Sequence, residues 1–475
     1  MRTKLHIKCI FVVLGVVVLM VLVDNWLTYY WLDEKGYNRG RLDRARIALN
    51  NGDYHNYDMY GSLQNHEEND NFFTWRDQDV GRVVFPKYMF GWSIVRIPAL
   101  VYHKNVYIAF CEMRAESHGD AGNINIIAKR GHRNRNNQIQ WEETMLIAAV
   151  PGMRSMCPTP IVDHVRDAII LIFVAFPPGM TESQLIKNVT YHQLVMVMKS
   201  TDLGRTWSIP VDITASTLNA MRRIPSMFAT GPGHGIQLKS GRLIAQGNVH
   251  VKKVPGGKFT YDFSTVIYSD DGGSTWSPGG TVPLGWDSFE NIIMTNEATV
   301  VELDNNLLCL NSRTPNAFQT RAISCSKNGG LQFGLPQLSD NLVESGFKMR
   351  NGNLHLLKNP GCEGSMVAFP APPGTNITDD VHKTWVLFSN PANMADRTRL
   401  SVRLSTNSLK TWSEPWRLHE GSSGYSDLAY YETIENRKKV QNFAILYEIG
   451  TNEMSEISFR TFTLQDVIRN IPLSL

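Results

Sequence analysis

The segments Ser200-Thr-Asp-Leu-Gly-Arg-Thr-Trp207 and Ser269-Asp-Asp-Gly-Gly-Ser-Thr-Trp276 both fit the pattern S-x-D-x-G-x-T-W. Two looser copies follow, Ser326-Lys-Asn-Gly-Gly-Leu-Gln-Phe333 and Ser405-Thr-Asn-Ser-Leu-Lys-Thr-Trp412. An internal repeat constrains a long chain strongly, because each copy forms the same local unit and neighbouring units must share a core. In this pattern the Asp or Asn accepts backbone N–H bonds across a tight turn and the Gly supplies φ > 0. The closing aromatic packs the hairpin between neighbouring sheets. Starts at 200, 269, 326 and 405 are separated by 69, 57 and 79 residues, about one four-stranded propeller blade with its connections. The 392 residues from Val84 to Leu475, at roughly 65 per blade, predict six blades.

The rest of the chain after Val84 agrees with an all-β fold. Short apolar runs such as VRIPALVY, VYIAFCEM, AIILIFVAF and FAILYEI alternate with Gly, Pro, Asn and Asp punctuation. With 19% charged residues, 36 Gly and 22 Pro, the chain is not a disordered or collagen-like one. A net charge of +3 lacks the basic excess of a nucleic-acid binder, so no nucleic-acid partner is expected. Six cysteines with no C-x-x-C pair, and no H-E-x-x-H, indicate neither a metal site nor a dense disulfide framework. No cofactor is implied. Cys309 and Cys325 lie on two strand-like runs able to pair as a hairpin and are the one expected disulfide.

The N-terminus reads as an address. Residues 1–8 carry Arg2, Lys4 and Lys8 ahead of the uncharged run Cys9–Val23, and Trp26, Tyr29, Tyr30 and Trp31 follow with no small-residue cleavage site. This is the pattern of an uncleaved signal-anchor over 9–32, with the basic tail cytosolic and an interfacial aromatic belt. Residues 33–83 then read as a polar stem, and 84–475 as the propeller in a lumenal or extracellular compartment. The sequons at Asn188 and Asn376 suit that single-pass type II placement.

The repeats, taken with RIPAL, GHRNRNNQIQW, RSMCPTP, ATGPGHGIQL, TNEATVVEL, LNSR, LFSNP and GYSDLA in order, resemble the sialidases (neuraminidases), and specifically their animal cytosolic and plasma-membrane branch. The resemblance covers nearly all of 84–475. It implies a retaining exo-α-sialidase that removes terminal sialic acid from glycoproteins, oligosaccharides or gangliosides. A trans-sialidase and a catalytically inactive sialoglycan-binding propeller are the alternatives. Sialic acid bears a carboxylate on its anomeric carbon, so its enzyme needs planar, permanently charged forks, which Arg provides and Lys does not. By resemblance these are Arg96, Arg313 and Arg397, with Arg399 and Arg403 as alternatives to the last. A carboxylate nucleophile would be repelled by the substrate, whereas a neutral phenol is not. Tyr425 matches the family's nucleophile and Glu297 its base, Glu302 being the alternative. Asp120, six residues after Arg114 and flanked by glycines, matches the proton donor, with Glu116 and His118 as titratable neighbours able to tune it, and Arg114 is itself a candidate substrate-binding residue. Glu182 matches a loop that contacts the glycerol arm. Where the branch carries an Asn that helps hold the N-acetyl arm, this chain has Cys157, a poor hydrogen-bond partner. Gly231-Pro-Gly-His-Gly235 lacks the Lys and Ser/Thr of a P-loop and reads as a tight turn.

Overall fold

A computed structural model describes residues 81–471, apart from 90, 118, 137, 188–192, 253–259, 316–317, 351–352, 357–359 and 451–453. The expected signal-anchor, most of the stem, the Asn188 sequon and His118 lie outside the described residues. No helix among the described residues is long and apolar enough to cross a membrane. One compact unit, Phe73–Lys348 with Leu356–Leu475, carries the sheets.

Antiparallel ladders build this unit. The first sheet runs Ile94–His103, Val106–Arg114, Ile124–Arg133 and Ile139–Trp141, with Met145–Ala148 also on its third strand. The second runs Arg154–Asp163, Ala168–Phe176, Leu194–Ser200 and Val211–Asp212. In the third, Met227–Thr230 and Ile236–Gln237 pair Leu243–Lys252, followed by Thr260–Ser269 and Ser277–Thr281. The fourth comprises Ala298–Glu302, Leu308–Ser312, Thr320–Ser326 and Gln337–Val343. The remaining long strands share one seven-stranded sheet from Ser365–Pro370 round to Arg82–Phe85.

The arrangement is propeller-like, but the expectation of six separate four-stranded blades is corrected: four blade-sized sheets stand apart, beside the seven-stranded one. The physical reason is the 20-residue strand Trp416–Glu435. Its first part pairs Thr398–Ser405 (Val402↔Trp416 to Thr398↔Ser422), and its later part pairs Lys438–Gly450 (Ser422↔Gly450 to Glu435↔Lys438). One continuous backbone ladder therefore runs through what sequence spacing would divide. The N-terminal strand Arg82–Phe85 pairs the last long strand, Glu456–Thr463, so that sheet draws on both ends of the unit.

The repeats do what their chemistry requires. In the second copy, Asp271 Oδ1 accepts from Thr275 N–H at 2.9 Å and Oδ2 from Thr275 Oγ1 at 2.7 Å, while Ser269 Oγ accepts from Gly273 N–H at 2.8 Å. Gly273 sits at φ 84°. The third copy keeps this turn with Asn328 and Gly330. The fourth places Leu409 at φ 68° where the motif has Gly, and its N–H still reaches Ser405 Oγ at 3.1 Å. Trp207, Trp276, Phe333 and Trp412 pack into the cores between successive sheets, and Trp276 is 1% exposed. The expected disulfide joins Cys309 and Cys325, directly paired across a ladder of the fourth sheet. Cys111, Cys157 and Cys362 are free.

Candidate active site

Two inner strands are deformed at the same place, where a residue preceding proline takes a left-handed conformation. In Ile94–His103 the register shifts between Arg96 and Ala99, and Ile97 has φ 58°. In Arg154–Asp163 it shifts between Met156 and Thr159, and Cys157 also has φ 58°. A β-branched residue such as Ile97 adopts φ > 0 only when its surroundings compel it. The compulsion is a buried glutamate beneath each bulge. Ile97 N–H donates to Glu448 Oε1 at 2.9 Å and Cys157 N–H to Glu112 Oε1 at 2.8 Å. The bulges re-aim the adjoining side chains, as bulges beside active sites do.

Glu448 is fully buried and also grips Arg96 with both oxygens, Nε–Oε1 3.0 Å and Nη2–Oε2 3.2 Å, and accepts Tyr425 N–H at 3.0 Å. Arg96 and Tyr425 are thus fixed through one carboxylate. Tyr425, 7% exposed, lies with its ring centroid 5.2 Å from Arg96 Cζ and 5.6 Å from Arg397 Cζ. Its hydroxyl donates a short hydrogen bond to Glu297 Oε1. Arg313 Nη1 meets Glu297 Oε2 at 2.7 Å, and its Nε and Nη2 donate to Pro360 O at 2.9 and 2.7 Å. Arg397 Nη2 donates to Gly361 O at 2.8 Å. Three guanidiniums, a phenol and a carboxylate from different sheets therefore converge.

The charges set each group's state. Burial pushes the Glu297 carboxyl upward, but Arg313 and the hydrogen bond from Tyr425 overcome it and hold the group below the usual carboxylate range. Burial and then the Glu297 charge push the Tyr425 phenol well above its ordinary value, against the pull of Arg313, Arg397 and Arg96. At neutral pH the pair is a neutral phenol donating to a carboxylate, poised for proton transfer. Burial, then Glu112, Asp120 and Glu297, keep Cys157 a neutral thiol.

The other sequence candidates are arranged around this centre. Arg114 is buried and holds Asp120 at 2.9 Å (Nη1–Oδ1), leaving Asp120 half exposed at the mouth. Glu182 opens a short helix, Glu182–Lys187, and stands 3.5 Å from His250 Nε2. Among the alternatives, Glu302 is at the far end of its strand and accepts Lys239 N–H at 2.8 Å. Arg399 is exposed at φ 60°, and Arg403 donates to Ser413 O at 3.0 Å. None of the three joins the Tyr425 cluster.

Sequence reasoning missed the supports. Glu112 and Glu448 each end an apolar strand run, YIAFCEM and FAILYEI. A lone acid there demands a buried partner, and that signal was available. The segment Gly231–Gly235 is more than a turn: His234 N–H and Nδ1 both meet Asp427, which also accepts Leu100 N–H and Ser365 Oγ.

The BNR repeat-like domain family matches residues 109–436. Sialidase-2 of Mus musculus is 33% identical over 391 residues, covering 80% of this chain and 95% of that protein. Sialidase-3 of Bos taurus is 30% identical over 425 residues, covering 79% and 91%. The chain belongs to the sialidase family, and it is accordingly a glycoside hydrolase. Among solved structures, Hadza microbial sialidase Hz136 superposes with a TM-score of 0.61 at 23% identity, covering 81% of this chain and 69% of that one. Trypanosoma rangeli sialidase, solved with 2,3-difluorosialic acid as a covalent intermediate, gives 0.56 at 19% identity over 80% and 58%. At these identities the structures bear on the fold alone.

Proposed function

We propose that this sialidase is a retaining exo-α-sialidase in which Arg96, Arg313 and Arg397 hold the substrate carboxylate and Tyr425 is the nucleophile. The observation that carries the reading is the Tyr425–Glu297 hydrogen bond, enclosed by the three guanidiniums. Tyr425 Oη attacks the anomeric carbon as its proton passes to Glu297, and Asp120 protonates the departing glycosidic oxygen. Positive charge developing on the sugar favours the phenolate at that moment, which offsets the raised resting pKa of the phenol. Water then attacks the glycosyl–tyrosine and gives its proton to Asp120, and Tyr425 leaves and recovers its proton from Glu297. Two inversions return the α-anomer. Glu182 and Cys157 border the sugar's remaining substituents, and a thiol in place of an amide weakens selection for an N-acetyl group.

We further read residues 9–32 as a signal-anchor that holds the catalytic unit on the lumenal or extracellular side, near sialylated glycoproteins and gangliosides. The Cys309–Cys325 disulfide and the exposed Asn376 of a sequon support an oxidising, glycosylating compartment. The test is incubation of the full chain with a fluorogenic sialoside in the presence of lactose. Free sialic acid is expected; transfer to lactose as the main product would make the enzyme a trans-sialidase, and inertness would leave a binding propeller.

A further inference from the structure

One chain of polar contacts links Glu297 to Glu182 through Asn296, Asp262 and His250, which take no part in the reaction above. Glu297 N–H donates to its neighbour Asn296 Oδ1 at 2.7 Å, and Asn296 Nδ2 donates to Asp262 Oδ2 at 3.2 Å. Asp262 Oδ1 lies 2.6 Å from His250 Nδ1, its direct partner across the ladder, an ion-pair contact rather than an aligned hydrogen bond. His250 Nε2 faces Glu182 Oε1 at 3.5 Å. The chain crosses from a short helix through the third sheet to the start of the fourth. His250 is 4% exposed, whereas the Glu182 side chain is 53% exposed.

We infer that His250, as an imidazolium, is a positioning residue that ties the Glu182 helix to the segment carrying Glu297 and so sets substrate affinity according to its charge. The inference rests on the reading of Glu297 and Glu182 as site residues. The charged groups facing His250 are Asp262 on the next strand, Glu182 on the helix and Glu297 from the fourth sheet. The strand on its other side, Met227–Thr230, contributes no titratable side chain. Burial opposes the charged imidazole, but Asp262 first, then Glu182 and Glu297, lift its pKa above 6.5. The tie is complete below that raised value and is lost as pH climbs through it. A neutral imidazole leaves Asp262 and Glu182 without their shared cation, and Glu182 is then free to leave the mouth.

The experiment measures KM and kcat separately for a fluorogenic sialoside from pH 5 to 9. In the natural protein KM should rise by about two- to fivefold across the His250 titration, the range of a partly exposed ion pair, with kcat changing less. In His250→Gln the KM step should vanish, leaving the alkaline value throughout. Because that change is buried, Glu182→Gln at the half-exposed end is the second variant and should abolish the step as well. Nitrogen-15 NMR of the imidazole supplies a readout independent of turnover, and Glu182→Gln should lower the His250 pKa. A KM step that persists in both variants, or a His250 titration indifferent to Glu182→Gln, would overturn the inference. A protein inert toward sialosides whose His250 still responds to Glu182→Gln would support the ion-pair chain while sinking the functional reading.

Discussion

Arg313→Lys tests whether the site recognises a carboxylate by a rigid fork. In the structure the guanidinium is fixed at three points: Nε and Nη2 on Pro360 O, and Nη1 on Glu297 Oε2 at 2.7 Å. A lysine ammonium keeps the charge but can satisfy only part of this set, and it offers an incoming carboxylate no parallel pair of N–H groups. One lost charge-assisted contact is worth about 1.5–3 kcal/mol, which corresponds to roughly a 10- to 150-fold loss at 1.4 kcal/mol per decade. The substrate carboxylate is bound in both ground and transition states, so the loss should fall mainly on KM. Initial rates against a fluorogenic sialoside should therefore show kcat/KM down by about a hundredfold, with a lowered thermal melt because the buried Pro360 O loses its paired donors. Arg399→Lys, on the exposed neighbour, should leave both parameters alone. An unchanged KM in Arg313→Lys would remove Arg313 from the carboxylate site and break the argument.

Against its burial, Arg313 and Tyr425 hold Glu297 below the usual carboxylate range, so the carboxylate proposed as the base persists into acid. Its stabilising contribution is lost only as pH falls through that lowered pKa. The acid limb of kcat/KM from this group should lie below pH 4.5 and move upward in Arg313→Gln; an unmoved limb would show that Arg313 does not set it. Trp276→Ala empties a site 1% exposed between the second and third sheets and should cost about 3–5 kcal/mol by denaturant melts, with less than 1 kcal/mol contradicting the packing role of the repeats. Replacing Cys309 and Cys325 by Ala opens a loop of sequence separation 16 and should cost about 3 kcal/mol, read from the same melts; an unchanged midpoint would show that the bond contributes nothing.

The repeats were legible because their chemistry demands particular residue types at fixed spacing, whereas chemistry gave only the residue types of the site's charged groups and the family resemblance gave their positions. A turn accepting several N–H groups needs Asp or Asn, and a carboxylate fork needs Arg. Sheet count was less legible: Trp416–Glu435 carries no Gly or Pro strong enough to end it, only Gly421 and Gly424 within the run, and spacing alone cannot say that two ladders share a strand. The acid in each apolar run was visible, but the backbone and side chains that Glu448 and Glu112 hold were not, Arg96 lying 352 residues from Glu448 and Cys157 45 from Glu112. The same distance concealed His250 and Asp427, whose meaning comes only from what the sheets bring to them. Arg397 was preferred by resemblance, and the structure separates it from Arg403 by what each touches, Gly361 O for Arg397 and Ser413 O for Arg403.

The proposed mechanism requires that Tyr425, activated by Glu297, bond covalently to the sugar. Incubation of the full chain with a fluorinated sialosyl fluoride, followed by proteolysis and mass spectrometry, tests it most directly. A stable adduct is expected on the peptide containing Tyr425, and none in Tyr425→Phe although that variant still binds an unsaturated sialic acid. An adduct on any other residue, or label retained by Tyr425→Phe, would contradict it.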